Sequence, residues 1–246
     1  MLSSNQTRKY VLYALGEIAL VVIGILIALQ INNWNERRND EKKAYAYLTN
    51  LKSDFEDNLD DMHSLHNNLE DTKSSTKKVA AFIQGEESLS NYELVSNINR
   101  AGYIITYKID IPTWDEIISS GDLNLIGDAS LKAKISTFLE EYKMLTELEE
   151  RKYVPVFVEL MNYSPYIYDV SNGFNSTTTE THFTGEDPEI DVVKLRNDQQ
   201  MLLLMRKIYR AANEQQDFLT SQLLELCEDI IHSLSAMISQ GKSSSL

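Results

Sequence analysis

The stretch YVLYALGEIALVVIGILIALQI, Tyr10 to Ile31, decides how the rest of the chain is read. Its 22 residues carry two strongly polar side chains, Glu17 and Gln30, and no proline. A helix of that length rises about 33 Å at about 1.5 Å per residue, enough for a hydrocarbon layer of about 30 Å. Inside lipid every backbone N–H and C=O must pair within the segment, so an isolated apolar run is forced into a helix. No other stretch is both long and apolar enough to cross a bilayer. Arg8 and Lys9 before the run from Ile18 to Leu29 have the order of a secretion signal. The candidate cleavage positions, however, hold Leu26, Ala28, Gln30 and Asn32, with no pair of small residues. The stretch therefore reads as an uncleaved anchor. Trp34 just past it suits the headgroup level as an interfacial anchor, with Tyr10 and Tyr13 at the other rim.

Composition bounds the remainder of the chain. It has 246 residues, a net charge of −14 and a pI near 4.7. Glycine (9) and proline (4) are scarce, which favours long helices over a sandwich with many turns. The acidic balance argues against phosphate-backbone binding, and no basic patch is interleaved with aromatics, so no nucleic-acid partner is expected. A single cysteine, Cys227, excludes an internal disulfide and a cysteine zinc cluster. It lies in an apolar helical pattern and reads as a buried thiol.

In chain order, residues 1–9 form a short tail, 10–31 the transmembrane helix and 32–240 a helical soluble domain. Asn32 to Lys43 holds no helix breaker, so the membrane helix is expected to continue into that domain. Leu48, Leu51, Phe55, Leu59, Met62, Leu65, Leu69, Val79, Phe82 and Ile83 recur at steps of three and four, marking one buried face that Gly85 closes. Ser90 to Gly102 reads as a short helix. Gly102 to Ile111, rich in β-branched and aromatic residues, reads either as a brief strand or as a packed connection. Thr113 with Glu116 has the pattern of a capping box beside Trp114, and Gly121 stops that helix. Asp128 suits an N-cap for a helix from Ala129 to about Val154, after which Pro155 kinks it or starts another. Tyr153 to Tyr168 is the most aromatic stretch. The segment from 169 to 189 is the longest break and reads as a mobile loop. Leu195, Leu202, Met205, Tyr209, Ala212, Gln216, Leu219, Leu223, Leu226, Ile230, Leu234 and Met237 then keep coiled-coil spacing for six heptads, with one seven-residue gap. Residues 241–246 read as a disordered tail. The fold class is all-α, an N-terminal transmembrane helix continuing into an elongated antiparallel helical bundle.

Two strings carry a resemblance. GEIALVVIGILIALQINNWNE, Gly16 to Glu36, and WDEIISSGDLNLI, Trp114 to Ile126, are similar to the hallmarks of an uncharacterised family of single-span proteins from Gram-negative bacteria. The resemblance implies an amino terminus inside the cell and the soluble domain in the periplasm, anchored to the inner membrane. It brings no activity, substrate or catalytic residue. Basic residues alone leave the orientation open, because Arg37, Arg38, Lys42 and Lys43 on the far side outnumber Arg8 and Lys9.

Glu17 is the first candidate for function, since a carboxyl inside a bilayer is costly. It shares a stripe with Gly24 and Ala28, a small-x-x-x-small pair suited to close helix approach. Three readings stand beside one another: pairing within a homo-oligomer or with a partner membrane protein, snorkelling to the rim, and ion translocation. His63 and His66 lie three apart with Asp60 and Glu70 nearby, a spacing that suits zinc. They read more simply as a surface and a structural histidine, and no metal site is expected. His182 with Glu180, Glu186 and Asp187 has the composition of a loose cation site and is read the same way. Asp115 and Glu116 read as first-turn charges favouring the helix dipole. No phosphate loop, nucleophile elbow or metalloprotease helix is present, so neither catalytic residues nor a cofactor are expected. Two functions remain. One is a membrane-anchored interaction or scaffold module, marked by an exposed apolar or aromatic patch near Trp114 or Tyr163 to Tyr168. The other is a sensor or ion-coupled, stator-like subunit working through Glu17. With only nine residues before the anchor, the second needs a separate partner.

Overall fold

The computed structural model describes residues 4–103, 106–163 and 190–243, with side chains from 15 to 240 within those ranges. The segment 169–189, the histidine cluster at His182, and Tyr166 and Tyr168 of the aromatic stretch lie outside the described residues. Among the described residues the chain is all-helical, without a strand. The stretch 106–111 is neither helix nor strand. It is a connection that sinks Tyr107 and Ile111 into the core.

Helix α1 runs from Ser4 to Gln84, 81 residues without a break. It contains no proline, and no glycine follows Gly24 until Gly85, so nothing in the sequence interrupts the i→i−4 ladder. Gly85 ends it at φ 81°, a left-handed backbone that a side chain would strain. The first part of α1 packs on nothing: Leu15 to Ile31 are all exposed, many by more than half. From Tyr47 onward the same helix carries the core. Leu48, Leu51, Phe55, Met62, Leu65, Leu69, Val79, Phe82 and Ile83 are buried, and Leu59 is half-buried. Thr72, Ser75 and Thr76 are buried in the same stripe and fill the gap in the apolar spacing between Leu69 and Val79, and Asn58 is buried beside the half-buried Leu59.

Helix α2, Asn91–Ala101, starts at a full capping box: Ser90 Oγ accepts from the Glu93 N–H while the Glu93 carboxylate accepts from the Ser90 N–H. Helix α3, Pro112–Ser120, departs from expectation at its start. Proline occupies the first helical position, where its missing N–H costs nothing, and this moves the boundary ahead of Thr113. The capping box of Thr113 and Glu116 is therefore not made. Asp54 of α1 accepts from the Thr113 N–H at 2.9 Å instead, a cap supplied from another helix. Gly121, at φ 74°, ends α3, and a short 3₁₀ turn spans Asp122–Leu125.

Helix α4, Ala129–Leu148, is capped by the Asp128 carboxylate, which accepts from the N–H groups of Ser130 and Leu131. It continues through a wide π turn, Glu149–Tyr153, into α5, Val154–Tyr163. In an ordinary α-turn the Pro155 ring would strike the carbonyl four residues back. The wide turn, in which the Val154 N–H reaches the Glu149 carbonyl, makes room for it.

The final helical pattern is not one helix. Helix α6, Val192–Arg196, ends at Asn197, and Asp198 caps α7, Gln199–Phe218, by accepting from the Met201 N–H. The break falls inside the one seven-residue gap of the pattern. A second π turn, Leu219–Leu224, leads into α8, Glu225–Ser243.

Helix α1 packs against α2, α3, α6, α7 and α8. Arg196 lies over the Phe82 ring at 4.6 Å, Gln216 meets Lys73 and His66, and the Cys227 thiol donates to the Phe55 carbonyl at 3.4 Å. Residue numbers thus fall along α1 as they rise from α6 to α8. Phe138 of α4 closes on Phe55 edge-to-face at 5.3 Å, a contact worth about 1 kcal/mol beyond the area it buries.

Candidate functional site

Three places on this frame are candidates for function. The first is the exposed apolar stretch of α1. Gly16 and Gly24 have no atom within 4 Å of where a Cβ would stand. Glu17, Gly24 and Ala28 are exposed, and no other described part of the chain covers them. Trp34 is 61% exposed, with the Arg38 guanidinium 5.7 Å from its ring.

The second lies three turns further along. Asp122, in the SSGDLNLI string, receives the Lys43 ammonium at 2.6 Å and the Tyr47 hydroxyl at 2.8 Å, both from α1. Lys43 also lies 5.6 Å from the Tyr47 ring centre. Hydrogen bonds from Lys43 first, then Tyr47, hold the Asp122 carboxyl below its ordinary range, and the same contact raises Lys43. The two strings singled out in the sequence are thus joined through the helical turns just beyond the first of them. Glu116 takes a marginal share, 3.5 Å from the Tyr47 hydroxyl, whereas Asp115 sits in the first turn of α3 as the dipole favours.

The third is a chain of buried polar groups that hydrophobic spacing does not reveal. Asn58 Oδ1 accepts from the Tyr107 hydroxyl at 2.7 Å and from the Asp110 N–H at 3.2 Å, while Nδ2 donates to the Asp110 carbonyl at 2.7 Å. Burial drives the Tyr107 phenol well above its usual pKa. Tyr142 packs edge-on against Tyr107 at 5.8 Å and donates to its carbonyl at 3.3 Å. Beyond it Glu149 is 3% exposed, and Gln215 of α7 donates to its Oε1 at 2.7 Å. Burial pushes the Glu149 carboxyl up to about 7, against the opposing pull of Gln215 and the Tyr107 N–H.

The expected site residues distribute plainly. His66 is half-buried, its imidazole within hydrogen-bond reach of Gln216 at 3.3 Å and Thr220 at 3.4 Å. His63 is exposed, and no cluster of three potential metal ligands occurs among the described residues. Cys227 is fully buried and its thiol is pushed up to about 12 by burial. Near Trp114 the indole itself is only 7% exposed, whereas Ile118 one turn further along α3 is 50% exposed. Tyr163, 38% exposed, donates to Asp198, next to exposed Val158 and Met161 on α5. A groove of about 610 Å³ between α1 and α7 is lined by Lys77, Arg206, Tyr209 and Arg210. Its cations stand in solvent, and its one carboxylate, Glu214, is taken by Lys152.

The geometry defines a helical protein led by an apolar helix that continues into the core. Residues 17–160 match a family described as a family of unknown function (DUF6090), and since this is more than half of the chain, the chain belongs to that family. The match begins at Glu17, takes in Lys43, Asn58, Tyr107, Asp122 and Glu149, and stops before Gln215. The chain matches no curated protein and no solved structure.

Proposed function

We propose that this is a membrane-anchored helical interaction or scaffold protein. Residues 10–31 cross the inner membrane of a Gram-negative bacterium once, and 32–240 form an elongated antiparallel bundle on the periplasmic side. One observation carries the reading: α1 leaves a wholly exposed apolar stretch and enters the core without a break. Apolar side chains in that number are costly in water, at roughly 1.5–3 kcal/mol for each large one, and a bilayer removes the cost. The opposed order of residue pairs between α1 and the segment from α6 to α8 supports the antiparallel bundle. The open space around Gly24 supports close approach of a second helix along the Glu17–Gly24–Ala28 stripe, either another copy or a partner membrane protein. The role is non-enzymatic and needs neither metal nor cofactor.

A second reading, a sensor or ion-coupled subunit with a separate partner, is favoured by one contact. Asp122 fastens the family's second string to α1 close to the anchor, so a shift of the membrane helix is passed directly to the 3₁₀ turn that follows α3.

The deciding experiment is the oligomeric state of the full chain in lipid nanodiscs, native and as Gly24→Leu and Glu17→Gln. The scaffold reading expects a defined native oligomer that Gly24→Leu splits and Glu17→Gln largely keeps. Three monomers would remove self-association. An ion-dependent activity lost in Glu17→Gln would move the choice to the second reading, and substrate turnover by the purified chain would overturn both.

A further inference from the structure

We propose that Glu149 and Gln215 form a proton-controlled joint between the α4–α5 elbow and α7, tight while the carboxyl is protonated and loosened when it ionises. The geometry carries the argument. Glu149 is the first residue of one π turn, and Gln215 lies one helical turn before the other, its carbonyl accepting the N–H of Leu219 where that second turn begins. The single hydrogen bond at 2.7 Å therefore links the two places where the α-helical ladder is widened. Wide turns interrupt the regular α-helical ladder and are among the places where helices kink. Gln216, the next residue, faces the other way and contacts His66 and Glu70 of α1. A movement of α7 at this point is therefore felt on α1.

No cation is paired with Glu149 among the described residues. Within the π turn Glu150, Arg151 and Lys152 are exposed, and Lys152 is engaged by Glu214 of α7. Tyr153 is buried beside it, and Glu150 raises the cost of its charge. From α4 come Tyr142 and Glu147, the latter paired with Arg151. From α5 comes Glu159, which holds Lys207 of α7. Tyr107 faces it from the connection before α3, with Asp61 of α1 behind. Each of these cations already serves another carboxylate, so an ionised Glu149 has hydrogen bonds but no counter-charge. The Gln215 and Tyr107 donors alone would favour the carboxylate, but burial without a counter-charge outweighs them. The group therefore keeps its proton in the folded state, and the joint opens to bring the charge to water once the proton is lost.

The folded chain holds this proton up to about pH 7, whereas an unfolded glutamate releases it near 4.5. The joint's stability is therefore complete below the lower value, falls across the interval and levels off above the upper one. Each pH unit in that interval is worth up to about tenfold in an opening equilibrium.

The test is amide hydrogen exchange of the full chain in nanodiscs at pH 5 and pH 8, native and Glu149→Gln, corrected for intrinsic exchange. In the native protein we expect protection of amides in 148–157 and 211–224 to drop at least tenfold at the higher pH. In Glu149→Gln we expect protection that does not change with pH. Native protection equal at both pH values would overturn the proposal. So would a variant that keeps the native dependence, since the proton would then sit on another group. If the variant fails to fold, carboxyl-carbon NMR of the native chain decides: a Glu149 midpoint near 7 supports the joint, and an ordinary carboxylate midpoint overturns it.

Discussion

Replacing Asn58 by alanine tests the part of the core least visible in the sequence. Asn58 is 3% exposed and joins α1 to the connection that leads into α3. The substitution removes the acceptor for the Tyr107 hydroxyl and the bridge to both backbone groups of Asp110. A net hydrogen bond is worth about 1 kcal/mol, and a buried hydroxyl left unpaired costs about 1–3 kcal/mol. Two features moderate the loss. The Tyr107 hydroxyl retains the backbone carbonyl of residue 58 at 3.2 Å, and Asp110 is exposed enough for water to replace its partner. The expected cost is about 2–3 kcal/mol, or roughly 5–10 °C in Tm for a chain of this size. Urea unfolding of the full chain in detergent measures it, in a cycle with Tyr107→Phe. The two effects should fall short of additivity by about 1 kcal/mol, because the same hydrogen bond is removed twice. Additivity within about 0.3 kcal/mol would refute the reasoning.

Three other contacts yield shorter predictions. Because Lys43 and Tyr47 hold the Asp122 carboxyl below its ordinary value of 3.8, their contact should persist as pH falls to that value and open only below it. NMR of the amides in 121–126 reports this, and Asp122→Asn should abolish the acid step. Cys227 should resist a thiol reagent in the folded chain and react at once in guanidinium, since burial keeps it protonated; rapid labelling of the native protein would contradict its place against Phe55. Gly121→Ala should cost about 1 kcal/mol in thermal unfolding through backbone strain alone, because φ is 74° and no atom lies within 4 Å of the new methyl group.

The parts of the fold legible in the sequence are those set by period and punctuation. Leu48 to Ile83 stand where their three-four spacing puts them, and Gly85, Gly121 and Asp128 end or begin helices as their backbone and side-chain chemistry requires. What stays hidden depends on partners distant in sequence or on polar groups satisfied inside the core. Asn58 and Thr76 occupy core positions of α1 because amide and hydroxyl find acceptors there, which hydrophobic spacing does not register. Asp54 caps α3 from another helix, so the local capping-box pattern of Thr113 and Glu116 is present but not made. Glu149 sits at an inward position of its helix but is charged by composition, and only its burial beside Gln215 distinguishes it from Glu147 or Glu150. The seven-residue gap between Leu195 and Leu202 is visible in the sequence, and Asp198, a good N-cap, is the signal that it breaks the helix.

The proposed anchor requires α1 to leave a bilayer and enter the bundle as one helix. Single nitroxide labels from position 15 to position 47, in the full chain in nanodiscs, test it directly, and the buried Cys227 leaves the introduced cysteines free to be labelled alone. Oxygen, which dissolves in lipid, should outcompete a water-soluble nickel relaxer from Leu15 to Ile31. The order should reverse past Trp34, with a helical period of about 3.6 appearing as the core begins at Tyr47. Water-like accessibility throughout, or a loss of helical order between Ile31 and Tyr47, would contradict it.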